Sequence, residues 1–153
     1  MPDWFTHSLI GWITGKTIKM DVSLVVIGSL LPDFEKISLI DSWINISFKG
    51  FLAPFHTPIG AFLFGGILAL LFKFPKRAFF AFCVGIITHF ILDIFLFYSS
   101  GGLRLLFPFS WEGWQYSVIS AGDYWVTIIV IYIAFFVYLI YNYCNDLKSK
   151  NNA

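Results

Sequence analysis

Long apolar runs, separated by short polar clusters, organise this chain. Five apolar segments stand out, at 4–15, 21–32, 54–73, 78–98 and 124–144. The last three approach or exceed the ~20 residues that a bilayer-crossing helix needs. The first two hold about a dozen residues each, or roughly 18 Å of helix. They predict a short or re-entrant hairpin supported by the longer helices, because bare backbone ends are not tolerated in lipid. The connector "GKTIKM" closes this first hairpin and "KFPKR" closes a second. Residues 34–52 mix apolar anchors with single charges and predict a stretch lying along the headgroups. Residues 99–122 are rich in glycine and aromatics, which breaks any helix there.

Composition turns this pattern into a class. The chain is 58% hydrophobic and 12% charged, against about 25% charged in an average soluble protein. A water-facing surface could hardly be covered. The expectation is one membrane-embedded, all-α domain over 1–153, a bundle of about five helices: two hairpins and a C-terminal transmembrane helix. A formal net charge of +1 makes no case for nucleic acid as a partner; the bilayer is the expected one. Cys83 and Cys144 lie in apolar runs without paired spacing, so neither a disulfide framework nor a thiolate metal site is expected. The opening "MPDWF" has no basic n-region and no small-residue cleavage site, so a cleaved signal peptide is not expected.

Charge sets an expected orientation. Lys16, Lys19, Lys73, Lys76 and Arg77 fall in the two tight turns, and Lys148 and Lys150 follow the last helix. The positive-inside rule assigns that end to the cytoplasm. Asp33, Glu35, Asp41, Asp93, Glu112 and Asp123 fall at the other end, with Trp4, Trp43, Trp111, Trp114 and Trp125 forming an aromatic belt. The reading is a multi-pass protein of the cell membrane, with its N-terminus and acidic end outside and its C-terminus cytoplasmic.

The few polar residues inside the apolar runs then converge. His56 lies 19 residues before Pro75 and Asp93 lies 18 after it, so an antiparallel pair brings them to one depth. His89 in "THFILD" is a turn deeper, on the same helix face as Asp93. His7 and Asp33 sit at the open end of the first hairpin, so all three histidines of the chain share one end. "HSLIG" at 7–11 and "HTPIG" at 56–60 hint at a parallel repeat of the two hairpins. A lone core histidine is usually just hydrogen-bonded. A carboxylate within a transmembrane helix, however, costs on the order of 2.5–3.5 kcal/mol and normally has a partner or a job. For His89 and Asp93 the options are a metal site, a structural hydrogen bond or a proton relay. Imidazoles with carboxylates suit zinc best, with manganese or iron as alternatives.

Other residues have two readings. Asp33 follows Pro32, which disfavours helical geometry at Leu31, so the helix should end there with the carboxylate free to turn inward; Pro-Asp is also an ordinary loop start. Glu35 reads as a second ligand, a general base or a solvated loop residue. Asp123 heads the last helix as an N-cap or an additional ligand. Arg104 could hold an anionic group or snorkel to the headgroups.

The blocks "THSLIG", "IGSLLPDFE", "FHTPIG", "GIITHFILD" and "GGLRLLFPFS" occur in that order. In this the chain resembles the YdjM-like proteins, small membrane proteins described as predicted metal-dependent hydrolases. The resemblance covers most of 5–110 and implies a metal site drawn from His7, Asp33, His56, His89 and Asp93. Two departures stand out. Where the family usually has His-Arg-Gly-x-Thr-His-Ser, "FLAPFHTP" keeps only His56, which leaves one or two metals open, and with them full catalytic competence. Glu35 stands where aspartate is usual. The expected function is a hydrolase of a lipid or lipid-linked (phospho)ester, with a metal-activated water as nucleophile and Glu35 as base. The alternative is a non-catalytic protein with a structural metal. A carrier of protons or metal ions would need polar groups through the bilayer, and the cytoplasmic halves of the long apolar segments carry no carboxylate or imidazole.

Overall fold

A computed structural model of the chain describes residues 4–40, 52–97, 101–120 and 124–151. It is all-helical. The helices are α1 (Trp4–Thr17), α2 (Val22–Leu30), α3 (Pro58–Ala69), α4 (Pro75–Asp93) and α5 (Trp125–Asn151). Two 3-10 helices, Leu31–Ile40 and Ala53–His56, precede α3. Among the described residues the only β-type pairing is two isolated bridges.

Local chemistry fixes the helix starts. The Asp21 carboxylate accepts from the Ser23 and Leu24 N–H groups and caps α2. Thr57 does the same for α3, accepting from the Gly60 N–H at 3.2 Å, with Pro58 at the first helical position, where its missing N–H costs nothing. Pro75 starts α4 in the same manner.

Two expectations need correcting. The apolar segment 54–73 does not form one long helix. Thr57 and Pro58 delay its start, and the Leu70 and Leu71 N–H groups turn back onto the Ile67 and Leu68 carbonyls to begin the tight connection to α4. Only 12 residues remain helical. Among the described residues, two helices are long and apolar enough to cross a bilayer, α4 and the Trp125–Cys144 part of α5. α2 ends at Leu30, just before Pro32 as expected, but not through extended geometry at Leu31. Leu31 keeps φ −56° and ψ −42°, and the chain tightens into the 3-10 helix. Proline removes a donor from the α ladder, but its own φ near −65° is compatible with continued coiling.

Close approach of α2 and α4 forms the centre of the bundle. A Cβ on Gly28 would lie 2.5 Å from the Phe82 carbonyl oxygen, and one on Gly85 would lie 2.2 Å from that of Val25. Only glycine permits backbones this close, the small-residue logic of membrane helix pairs. α1 packs on α2 and α4, and α3 packs on α4, enclosing Leu31, Ala61, Phe82, Ile86 and Phe90. α5 leans on α1, where the Thr6 and Thr127 hydroxyls meet at 2.9 Å. Its other faces expose Ile129, Phe135, Phe136 and Ile140, as a helix bordered by lipid would.

The 101–120 loop is tied down at the Asp93 end. Leu103 and Trp114 exchange two backbone hydrogen bonds of 2.9 Å, and the Tyr116 N–H donates to the Ile94 carbonyl at 2.7 Å. Val118 and Ile119 both donate to the Phe95 carbonyl at 3.0 Å. Carbonyls just beyond α4, which a membrane interior could not leave bare, are thereby satisfied.

Candidate metal centre

α4 supplies the floor of the site. His89 and Asp93 are one turn apart, and His89 Nε2 lies 3.2 Å from Asp93 Oδ2. The 3-10 turn before α3 brings His56 Nε2 to the same oxygen, also at 3.2 Å. From α1, His7 Nε2 reaches the other oxygen, Asp93 Oδ1, at 3.3 Å. Asp33 enters from the segment after α2, its Oδ1 3.7 Å from His56 Nδ1 and 3.8 Å from His89 Nε2. Asp33 and Asp93 are 1% and 2% exposed and His7 and His89 are fully buried, so this is an interior polar cluster.

The hydrogen bonds around the cluster decide which atoms face inward. His89 Nδ1 donates to the Ser29 carbonyl at 2.8 Å, and His56 Nδ1 donates to the Pro32 carbonyl at 3.2 Å. A carbonyl only accepts, so both rings carry the proton on Nδ1 and present the Nε2 lone pair to the centre. Metal-ligating histidines are held in this way. In the 3-10 coil that follows α2, the Ser29 carbonyl would look to the N–H three residues on, and that residue is Pro32, which has none. The Ser29 hydroxyl also donates to the His7 carbonyl at 3.0 Å, joining three parts of the site. Gly28 and Gly85 allow all this by letting α2 and α4 touch.

Asp33 is divided between two tasks. Oδ2 pairs with Lys36, three residues later on the same 3-10 helix, where side chains at i and i+3 eclipse. Oδ1 is left facing inward. Asp33 Oδ1, His56 Nε2 and His89 Nε2 are buried and have no hydrogen bond among the described residues. The 3.2 Å approaches to Asp93 do not help the two imidazoles: with the protons on Nδ1, each sets a lone pair against a carboxylate oxygen. Each buried polar atom left this way costs about 1–3 kcal/mol. A cation at the centre would remove the cost for all three together.

One donor atom from each of Asp33, His56, His89 and Asp93 falls within 4.8 Å of the others. Two carboxylate oxygens and two imidazole nitrogens are a donor set for zinc, manganese or iron. The residues therefore fit a divalent ion. His7 stands apart from this foursome. It stacks on His89, ring centroids 4.0 Å apart and planes 19° from parallel, and its Nε2 comes within 3.3 Å of the far oxygen of Asp93. Glu35 is close but more open, 30% exposed, with Oε1 3.8 Å from His56 Nδ1. Arg104 is exposed and lies over the Trp111 ring at 5.1 Å. Asp123 is outside the described residues.

Ser29, Pro32 and Lys36 contact the cluster, and a reading of side-chain pattern does not single them out. The signal for the first two was the Ser-Leu-Leu-Pro spacing, which frees a carbonyl. For Lys36 it was the i,i+3 distance from Asp33.

The profile of the family described as YdjM inner membrane protein matches residues 3–149. No curated protein and no solved structure matches the chain.

Proposed function

The chain belongs to the YdjM inner membrane protein family, and on that premise we propose that it is a metal-dependent hydrolase of a lipid or lipid-linked ester or phosphoester. The observation that carries this reading is the inward convergence of Asp33, His56, His89 and Asp93. Zinc is the preferred ion, with manganese or iron as alternatives.

When bound, a divalent ion supplies Lewis acidity and lowers the pKa of a coordinated water towards ~7. The protein groups have separable tasks. Asp33, His56, His89 and Asp93 hold the ion, and His7 fixes Asp93 from its far side. Lys36 keeps Asp33 Oδ2 occupied and so directs Oδ1 inward. Glu35 would take the proton of the attacking water at Oε1, on a side where, among the described residues, the cluster is not fully covered. His56, 11% exposed, marks the same opening. A substrate entering there would approach from the end that carries the aromatic 101–120 loop, which suits an ester at headgroup level.

Glu35→Gln separates catalysis from metal binding. Metal content should be unchanged, and turnover in a screen of phospho- and carboxyl-ester lipids should fall roughly 100-fold or more, the usual worth of a general base. Equal turnover would remove Glu35 from the mechanism. If the wild type holds metal but cleaves no ester, the second reading stands, a structural metal site. That reading draws on the count of four donors, enough to close a tetrahedral ion completely.

The metal end is proposed to face outward. In a Cys83→Ala/Cys144→Ser background, a membrane-impermeant maleimide should label Ser110→Cys in intact cells. Lys76→Cys should react only after permeabilisation. The opposite pattern would invert the topology.

A further inference from the structure

At the other end of the bundle a cavity of about 560 Å³ opens between the two tight turns and the start of α4. That volume is in the range of ligand sites. Lys19, Lys73 and Arg77 line its rim, while Leu24, Phe72 and Phe80 form an apolar wall. Arg77 and His89 are 12 residues apart on α4, or about 18 Å along the helix, so the cavity is separate from the metal centre.

Its charge is unbalanced. Among the described residues, Lys19, Lys73 and Arg77 make no ion pair with a carboxylate. The one acid in the lining, Asp21, is occupied in capping α2 through the Ser23 and Leu24 N–H groups, at 3.1 and 3.3 Å. The Lys73 and Arg77 head groups both lie 5.5 Å from the Phe74 ring centroid, which gathers two cations at one aromatic residue. α4 also begins here without a side-chain cap. The positive end of a 19-residue helix dipole therefore adds to the three side chains.

We propose that this cavity binds an anionic phospholipid, its phosphate held by Lys19, Lys73 and Arg77 and an acyl chain laid along Leu24, Phe72 and Phe80. Free phosphate would match the cations but not the apolar wall. α4 is about 28 Å long, close to the hydrocarbon thickness of ~30 Å. With Asp93 at one bilayer surface, the first turn of α4 reaches the other, where headgroup phosphates lie. Basic pockets between membrane helices bind acidic lipid headgroups elsewhere for the same reasons.

The test uses delipidated protein in mixed micelles. Phosphatidylglycerol should raise the thermal midpoint by about 4 °C or more, and neither phosphatidylcholine nor inorganic phosphate should. Lys73→Gln/Arg77→Gln should lose that response and keep the wild-type midpoint in phosphatidylcholine. Lys16→Gln/Lys76→Gln removes the same charge at the same end but outside the cavity, and should retain it. Should the first pair not hold its fold, Lys19→Asn supplies the loss of charge; Lys19 has φ +56°, a conformation that asparagine tolerates well. Equal effects of the two lipids, a response to phosphate alone, or a response that survives in the cavity variants would each overturn the proposal. Equal loss in both double variants would also overturn it, by showing a diffuse surface charge.

Discussion

Purified Asp93→Asn protein will retain less than about a tenth of the divalent metal held by the wild type, a loss at least as large as removal of an outer-shell partner brings. Asparagine preserves the volume and can still meet its neighbours, so the helix packing is not attacked. What it removes is the charge on which His7, His56 and His89 converge from three separate elements at 3.2–3.3 Å. His89→Ala should show the same loss by a different route, deleting a nitrogen donor and leaving the Ser29 carbonyl without its ring. Chelation gives an independent readout. At a metal concentration about a thousand times the Kd, binding stabilises the folded state by roughly 4 kcal/mol, so a chelator should lower the wild-type midpoint by several degrees. The same chelator should leave Asp93→Asn unmoved. Unchanged metal content in both variants would sink the metal reading and return the cluster to a network of buried hydrogen bonds.

This centre was partly legible in the sequence, and the division has a physical basis. Counting outward from Pro75 at a fixed helical rise brings His56 and Asp93 to one level, although His56 reaches it from a 3-10 turn outside α3. The i,i+4 spacing was enough to put His89 beside Asp93. Backbone acceptors were harder to foresee. Nothing in the identities of Ser29 and Pro32 announces that their carbonyls orient two histidines; that follows from how Pro32 converts the end of α2 into a 3-10 coil. His7 shows the limit of depth counting. It arrives at the right level, but its ring stacks on His89 and reaches the outer oxygen of Asp93, a distinction of rotamer and helix rotation. Hydropathy overstates the length of α3 because it does not mark where Thr57 and Pro58 set a helix start.

Gly85→Ala will disable the metal centre without touching a ligand. The new Cβ would lie 2.2 Å from the Val25 carbonyl oxygen and 2.5 Å from the Ser29 nitrogen. Both are backbone atoms of α2, which cannot swing aside as a side chain tip can. Relief requires α2 and α4 to separate by about 1 Å, a displacement large enough to cost on the order of 100-fold where geometry is critical. His89 lies one turn beyond Gly85 and its 2.8 Å bond to the Ser29 carbonyl spans the same interface. Separation therefore releases the imidazole from the orientation that aims Nε2 at the centre. The expected result is a loss of stability of about 1–3 kcal/mol from overpacking, together with a 10–100-fold weaker metal affinity of the kind seen when an outer-shell bond is lost. Gly66→Ala is the matched control. Its Cβ would find only the Phe79 ring at an ordinary 3.6 Å, so the change should be neutral or stabilise α3 by roughly 0.5–1 kcal/mol through the better helix propensity of alanine. If Gly85→Ala binds metal as the wild type does, the contact between α2 and α4 is not what orients His89. Close approach of the helices would then not govern the Ser29 carbonyl, and the imidazole would be held by other contacts.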